Sequence, residues 1–241
     1  LFIHDGFNGL SINHHERHRQ IRRATLSSHG LLNLERELKQ YAMDQDDLAS
    51  WPHVEELINV KSNHDVFLDN WLQEGHWTDD AENYNLAVKL ACAMTDGVNP
   101  LEYAARKLGM KNKKSRWLSL DEDFFIAGIQ HGAHGHKGPK GARGNIKGME
   151  KAYGRSNTGH SHGPEILRQA FQGGTSSFLK LDYNTGPSDW VHSSILTYPN
   201  GQRQIINSFD GEWRMIDDKK VGSKPRLKFA IKKGKRPSRR K

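Results

Sequence analysis

The sequence predicts an α/β fold, on three observations. Short apolar runs that read as buried strands, "LFIHD" (1–5), "EELINV" (55–60) and "DFFIAGIQ" (123–130), are separated by longer stretches with helical spacing. The runs lead into polar segments that carry His, Asn, Asp or Gly. From about residue 166 the pattern turns to short β-like runs with strong turn signals, so the last third is expected to be β-rich.

Taken in order, the first strand ends at a polar turn at Asp5. Residues 14–23, "HHERHRQIRR", are charged and expected to be helical. Over 27–51, Leu31, Leu34, Leu38 and Tyr41 recur at helical spacing, with Ser27 or Ser28 as the cap and Pro52 as the stop. The second strand leads into "KSNHD" (61–65). Helices are expected over 66–74, about 80–95 and 100–108, the last capped by Asn99 with Pro100 in its first turn. The third strand runs into the glycine-rich "HGAHGHKGPKGARG" (131–144), which lacks the Gly-Lys-Ser/Thr ending of a phosphate-binding P-loop. "IKGMEKAY" reads as a helix, followed by the loop "GHSHGP" (159–164). "SSFLKLDY", "SSILTYP" and "QRQIINSF" read as strands, with Asn200-Gly201 turning a hairpin between the last two.

Composition narrows the function classes. The purely apolar runs, such as "FFIA", are too short to span a bilayer, and no signal peptide is visible. Cys92 is the only cysteine; an internal disulfide is excluded, and a reducing compartment and a buried helical thiol are expected. Trp51, Trp71, Trp77 and Trp190 are expected in the core. The net charge of +8 is unevenly spread: residues 219–241 carry twelve Lys/Arg and no acid, whereas the rest has 24 basic against 28 acidic residues. The expected division is therefore a domain over 1–218 and a basic tail over 219–241, either attracting a polyanion such as DNA or serving as a solubilising end.

Nine of the fourteen histidines cluster, at 4, 14, 15 and 18, at 131, 134 and 136, and at 160 and 162. In an α/β sheet, loops at strand ends converge, so Asp5; Asn63, His64 and Asp65; His134 or His136; and His160 with His162 can meet at one point. Carboxylate, amide oxygen and imidazole suit borderline divalent ions, and the absence of thiolates argues against a structural zinc site. His14, His15 and His18 read as a solvated face or the lining of a DNA groove. His29, His53, His76 and His192 are given no role.

"SNHD" (62–65) resembles the Gly-Asn-His-Asp/Glu motif of the calcineurin-like metallophosphoesterases, with Ser62 in place of glycine, and "GHSH" (159–162) resembles their closing Gly-His-x-His motif. "HD" at 4–5 stands where their Gly-Asp motif belongs. The stretch from 174 to 213 is similar to the end of a phage branch of that superfamily, early nucleases that degrade host DNA. The resemblance implies a sandwich of two β-sheets flanked by helices. It implies two divalent ions, Mn²⁺ first, with Fe²⁺, Zn²⁺ or Mg²⁺ as alternatives. Asp5 would bridge them, and Asn63, His134, His160 and His162 would complete the ligand set, with His136 as the fallback for His134 and His131 a distant third. His64 would protonate the leaving oxygen and Asp65 would orient its ring. Lys137, Lys140, Arg143 and Lys147 could hold a DNA backbone, or their loop could simply be flexible. The family's Asp-x-His motif has no counterpart here, and the expectation is that it lies on a strand before residue 1.

The activity so implied is phosphodiester hydrolysis, with DNA as substrate and partner, no membrane, the cytoplasm of a host cell as the compartment, and self-association left open. The same-class alternative is a phosphomonoesterase or protein phosphatase. The alternative from another class is a non-catalytic DNA-binding protein with a degenerate metal site. Two ions about 3.5–4 Å apart can clamp a phosphate and activate water, so no Ser or Cys nucleophile is required.

Overall fold

The computed structural model describes residues 1–16, 18–181, 184, 186–209 and 211–213. The fold is mixed α/β, with six α-helices and three sheets among those residues. The chain divides into two units, Leu1–Asn207 and Ser208–Lys241. The basic stretch 219–241 lies outside the described residues.

β1 (Phe2–His4) is followed by two short 3₁₀ turns, Leu10–Ile12 and His14–Glu16, and by α1 (Gln20–Ser28). The expected helix over 14–23 is thus divided and shifted. α2 (Leu34–Ser50) begins at Asn33, whose side chain accepts from Arg36 N at 2.8 Å, and not at Ser27 or Ser28, which end α1. β2 (Leu57–Val60) runs into α3 (Asn63–Gln73), and α4 (Tyr84–Thr95) and α5 (Pro100–Lys107) follow, the last capped by Asn99 as expected. Cys92 lies on the exposed side of α4 and is not buried.

β3 (Ser115–Trp117) is the third strand of the first sheet, parallel to β2 as β2 is to β1. Its polar sequence gave no apolar signal. "DFFIAGIQ" instead folds back on itself: β4 (Phe125–Ile126) and β5 (Ile129–Gln130) pair antiparallel across Ala127 and Gly128, both at positive φ. α6 (Ile146–Tyr153) precedes β6 (Ser156–Thr158), β7 (Glu165–Leu167) and β8 (Ala170–Gln172). The second sheet has the order β4-β5-β6-β8-β7, with β5, β6 and β8 mutually parallel. β9 (His192–Thr197) and β10 (Arg203–Ser208) pair across the Asn200-Gly201 turn. The described residues of "SSFLKLDY" form no strand.

Alternation along β2 divides the first sheet's faces. Asn59 points to α2, where its Oδ1 accepts from Tyr41 Oη (3.1 Å) and Gln45 Nε2 (2.9 Å). On that side Leu34, Leu38, Leu68 and Leu90 are fully buried, each contributing about 2 kcal/mol. Ile58 and Val60 point the other way, to Leu118, Phe2 and Phe124. Phe2 in turn stacks on His131 from the second sheet, with centroids 4.7 Å apart, so the two sheets meet through these rings. Trp71 is in the core and Trp77 packs against it, but Trp51 is half exposed, just beyond α2.

Candidate metal centre

Parallel pairing brings the carboxyl ends of β1 and β2 together, and likewise those of β5 and β6. Four loops therefore meet where the two sheets face each other. Asp5 follows β1, Asn63 and His64 open α3, His134 lies in the loop after β5, and His160 lies in the loop after β6. The last two loops are tied by Gly159 N donating to His134 O at 2.9 Å.

Side chains from all four loops converge. One ligating atom each from Asp5, His134 and His160 lie within 4.8 Å of one another. His134 Nε2 is 3.0 Å from Asp5 Oδ2 and 3.1 Å from Asn63 Oδ1, and His160 Nδ1 is 3.1 Å from the same amide oxygen. Asp5 Oδ1 is buried without a hydrogen-bond partner, and so are both ring nitrogens of His136. His136 adjoins the cluster, its ring centroid 5.3 Å from that of His134 and 6.0 Å from that of His160. Asp5, His160 and His162 all have positive φ, a conformation that costs of order 1 kcal/mol or more in a non-glycine residue and collects at functional sites. His162 stands beside the trio: its ring meets Trp190 edge-on at 4.1 Å, and its imidazole feels Asp5, His64 and His134.

Electrostatics favour neutral imidazoles at His4, His136 and His160 and an ionised carboxylate at Asp5. Burial, reinforced by the charge of His134, lowers His4 to about 3 and His136 to about 4, and it likewise lowers His160 to about 4. Burial alone would raise the Asp5 carboxyl. The charge and hydrogen bond of His134 outweigh it and hold Asp5 well below the usual range.

His64 and Asp65 depart from the expected pairing. His64 Nδ1 donates to the Asn8 carbonyl at 2.6 Å and its ring stacks on Phe67 at 5.0 Å, which leaves Nε2 free to face a substrate. Asp65 is buried, and its carboxylate accepts from Ser62 N at 2.8 Å while Ser62 Oγ accepts from Asp65 N at 3.2 Å. This reciprocal capping box starts α3. The Asn8 carbonyl, not Asp65, thus orients His64. Phe67 also meets His14 and His15 edge-on, and those two rings are exposed.

The basic loop borders the cluster. Lys137 and Arg143 form an antiparallel bridge, and their charges lower His136 and His160 respectively, although burial is the larger cause for each. All four expected DNA-binding cations, Lys137, Lys140, Arg143 and Lys147, are exposed. His131 lies apart, between Phe2 and Asn157, whose Nδ2 is 3.4 Å from its Nδ1.

His4, a member of the first histidine cluster with no role expected of it, and Asn8, which carries no sequence signal, both touch the site's histidines. His4 Nδ1 lies 3.3 Å from His134 Nδ1, a contact across 130 residues that no local signal encodes.

No helix among the described residues is long and apolar enough to cross a membrane. No family model and no solved structure matches the chain. It is 35% identical over 233 residues to a phage protein, Protein A1 of Escherichia phage T5, an alignment covering 88% of this chain. The chain spans 39% of that relative's length.

Proposed function

We propose that the chain carries a metal-dependent phosphodiesterase site of the calcineurin-like metallophosphoesterase kind and acts as a DNA nuclease, with its two facing sheets as the superfamily's sandwich. The convergence of Asp5, Asn63, His134 and His160 from four loops carries this reading. The donor set fits a divalent ion: a carboxylate, an amide oxygen and two imidazoles, with a buried Asp5 oxygen that lacks a partner. These four residues would hold one ion, and Asp5 with His162 would contribute to a second, Mn²⁺ being favoured over Fe²⁺, Zn²⁺ and Mg²⁺. Bound ions of this kind neutralise phosphate charge and generate a nucleophile from water near neutral pH.

The chain's own side chains supply the rest. Asn8 and Phe67 fix His64 with Nδ1–H on the Asn8 carbonyl, so Nε2 carries a proton only in the imidazolium form, and in that form it would give the proton to the leaving oxygen and return to neutral imidazole. Lys137 and Arg143, exposed beside the cluster, attract the flanking phosphates of a DNA strand. Similarity to a phage protein is in keeping with action in a host cytoplasm.

The test is hydrolysis by the chain with Mn²⁺ of duplex DNA, bis(p-nitrophenyl) phosphate and p-nitrophenyl phosphate, with EDTA as the control. DNA and the diester should be cleaved and EDTA should stop both. Cleavage of the monoester alone would make the protein a phosphomonoesterase. Metal-independent DNA binding without hydrolysis would make it a binding protein.

A further inference from the structure

His4 occupies a position where the motif it resembles has glycine, and its imidazole lies against a proposed ligand. Its Nδ1 is 3.3 Å from Nδ1 of His134, with the two rings inclined by 28° and their centroids 5.5 Å apart. The other nitrogen of His134, Nε2, faces Asp5 Oδ2 and Asn63 Oδ1. Two imidazole nitrogens can attract at that distance only if one carries the proton and the other the lone pair. Without an ion, Nε2 donates to the Asp5 carboxylate; for His134 to present a lone pair at Nε2 to an ion, its proton must sit on Nδ1, and His4 Nδ1 must then accept it.

His4 is itself held. Its backbone is paired in the parallel sheet opposite Val60, and Gly159 lies against its other side. A Cβ at position 159 would stand 3.0 Å from His4 Cβ and 3.2 Å from Cγ, tighter than ordinary packing, so glycine there is what leaves room for the ring. Gly159 is also the residue that bonds to His134 O. His4 is therefore wedged between the loop that carries His134 and the loop that carries His160.

We propose that His4 is a positioning residue for the metal site: it accepts the Nδ1 proton of His134 and so fixes the tautomer that aims Nε2 at Asp5 and Asn63. The inference rests on the divalent-metal reading given above. Removing such an outer hydrogen-bond partner of a ligating histidine costs about 10–100-fold in metal affinity.

The test uses the chain with Mn²⁺ alone, bound metal being followed by electron paramagnetic resonance, for wild type, His4→Ala, His4→Leu and His4→Asn. Asparagine places Oδ1 close to where the imidazole Nδ1 stood and can accept the same proton; alanine and leucine cannot. Mn²⁺ affinity is expected to fall about 10–100-fold in His4→Ala and His4→Leu and to recover in His4→Asn to within a few-fold of wild type. Melting curves in EDTA identify any variant whose metal-free fold is damaged, and the comparison of Asn with Leu is then made among the folded ones. Wild-type affinity in His4→Ala or His4→Leu overturns the role of His4 alone, as does an Asn variant no better than Leu. A wild-type chain that takes up no Mn²⁺ removes the metal reading and this inference with it.

Discussion

Substituting Asp65 by Asn separates a helix cap from a catalytic helper. Burial raises the Asp65 carboxyl to about 6, against the lowering effects of the Ser62 backbone bond and Lys61. The interval from an ordinary value of 3.8 to about 6 corresponds to about 3 kcal/mol between the two protonation states. The sign follows from linkage: the folded chain holds the proton more tightly than the unfolded one, so this stabilisation is complete below pH 3.8 and is lost as pH rises through about 6. The amide introduced by Asp65→Asn cannot ionise, yet its oxygen can still accept from Ser62 N. The stability of Asp65→Asn relative to wild type should therefore improve by about 2 kcal/mol between pH 4.5 and pH 7.5. Urea denaturation in EDTA at three pH values measures it. Parallel pH profiles would refute the buried-cap assignment. Loss of diester hydrolysis as complete as in His64→Ala would instead return Asp65 to the role of orienting His64.

Three further outcomes are expected. Burial lowers His131 to about 4, so His131 by itself should remove about 3 kcal/mol of stability as pH falls from 6.5 to 4, and in His131→Phe, which can still pack on Phe2, urea titrations should show the acid loss smaller than in wild type by that amount. Gly144→Ala would place a Cβ 1.7 Å from the Gly135 carbonyl oxygen, so the backbone of the loop that carries His134 must shift; thermal melts should show a lower midpoint and Mn²⁺ titration a weaker site. Replacing Lys137, Lys140, Arg143 and Lys147 together by Ala should flatten the slope of log affinity for duplex DNA against log salt, measured in EDTA, by about 3.6 units if each cation meets a phosphate, whereas an unchanged slope would place the DNA elsewhere.

What was legible in the sequence followed from apolar contrast. β1 and β2 stand out as apolar runs before polar loops, and these two strands deliver Asp5, Asn63 and His64 to the site. β3 was missed because Ser115 and Arg116 carry no strand signal, its place being set by pairing with β2. The run 123–130 was read as one strand because Ala127 and Gly128 do not interrupt an apolar pattern, although their positive φ turns the chain. Asn33 outcompeted Ser27 and Ser28 as the α2 cap because Gly30, at positive φ, had already broken the preceding helix. The Ser62-x-x-Asp65 spacing was itself a cap signal, but resemblance to a catalytic motif drew Asp65 towards His64 and away from Ser62. The contact between His4 and His134 depends on how two sheets face each other, which no window of sequence contains.

The most direct measurement is bound Mn²⁺ per chain, by electron paramagnetic resonance, in wild type, Asp5→Asn, His160→Ala and His64→Ala. Wild type should bind Mn²⁺, Asp5→Asn and His160→Ala should lose it, and His64→Ala should keep it while losing diester hydrolysis. A wild type that binds none, or an Asp5→Asn chain that binds as well as wild type, would contradict a metal centre built on Asp5, Asn63, His134 and His160.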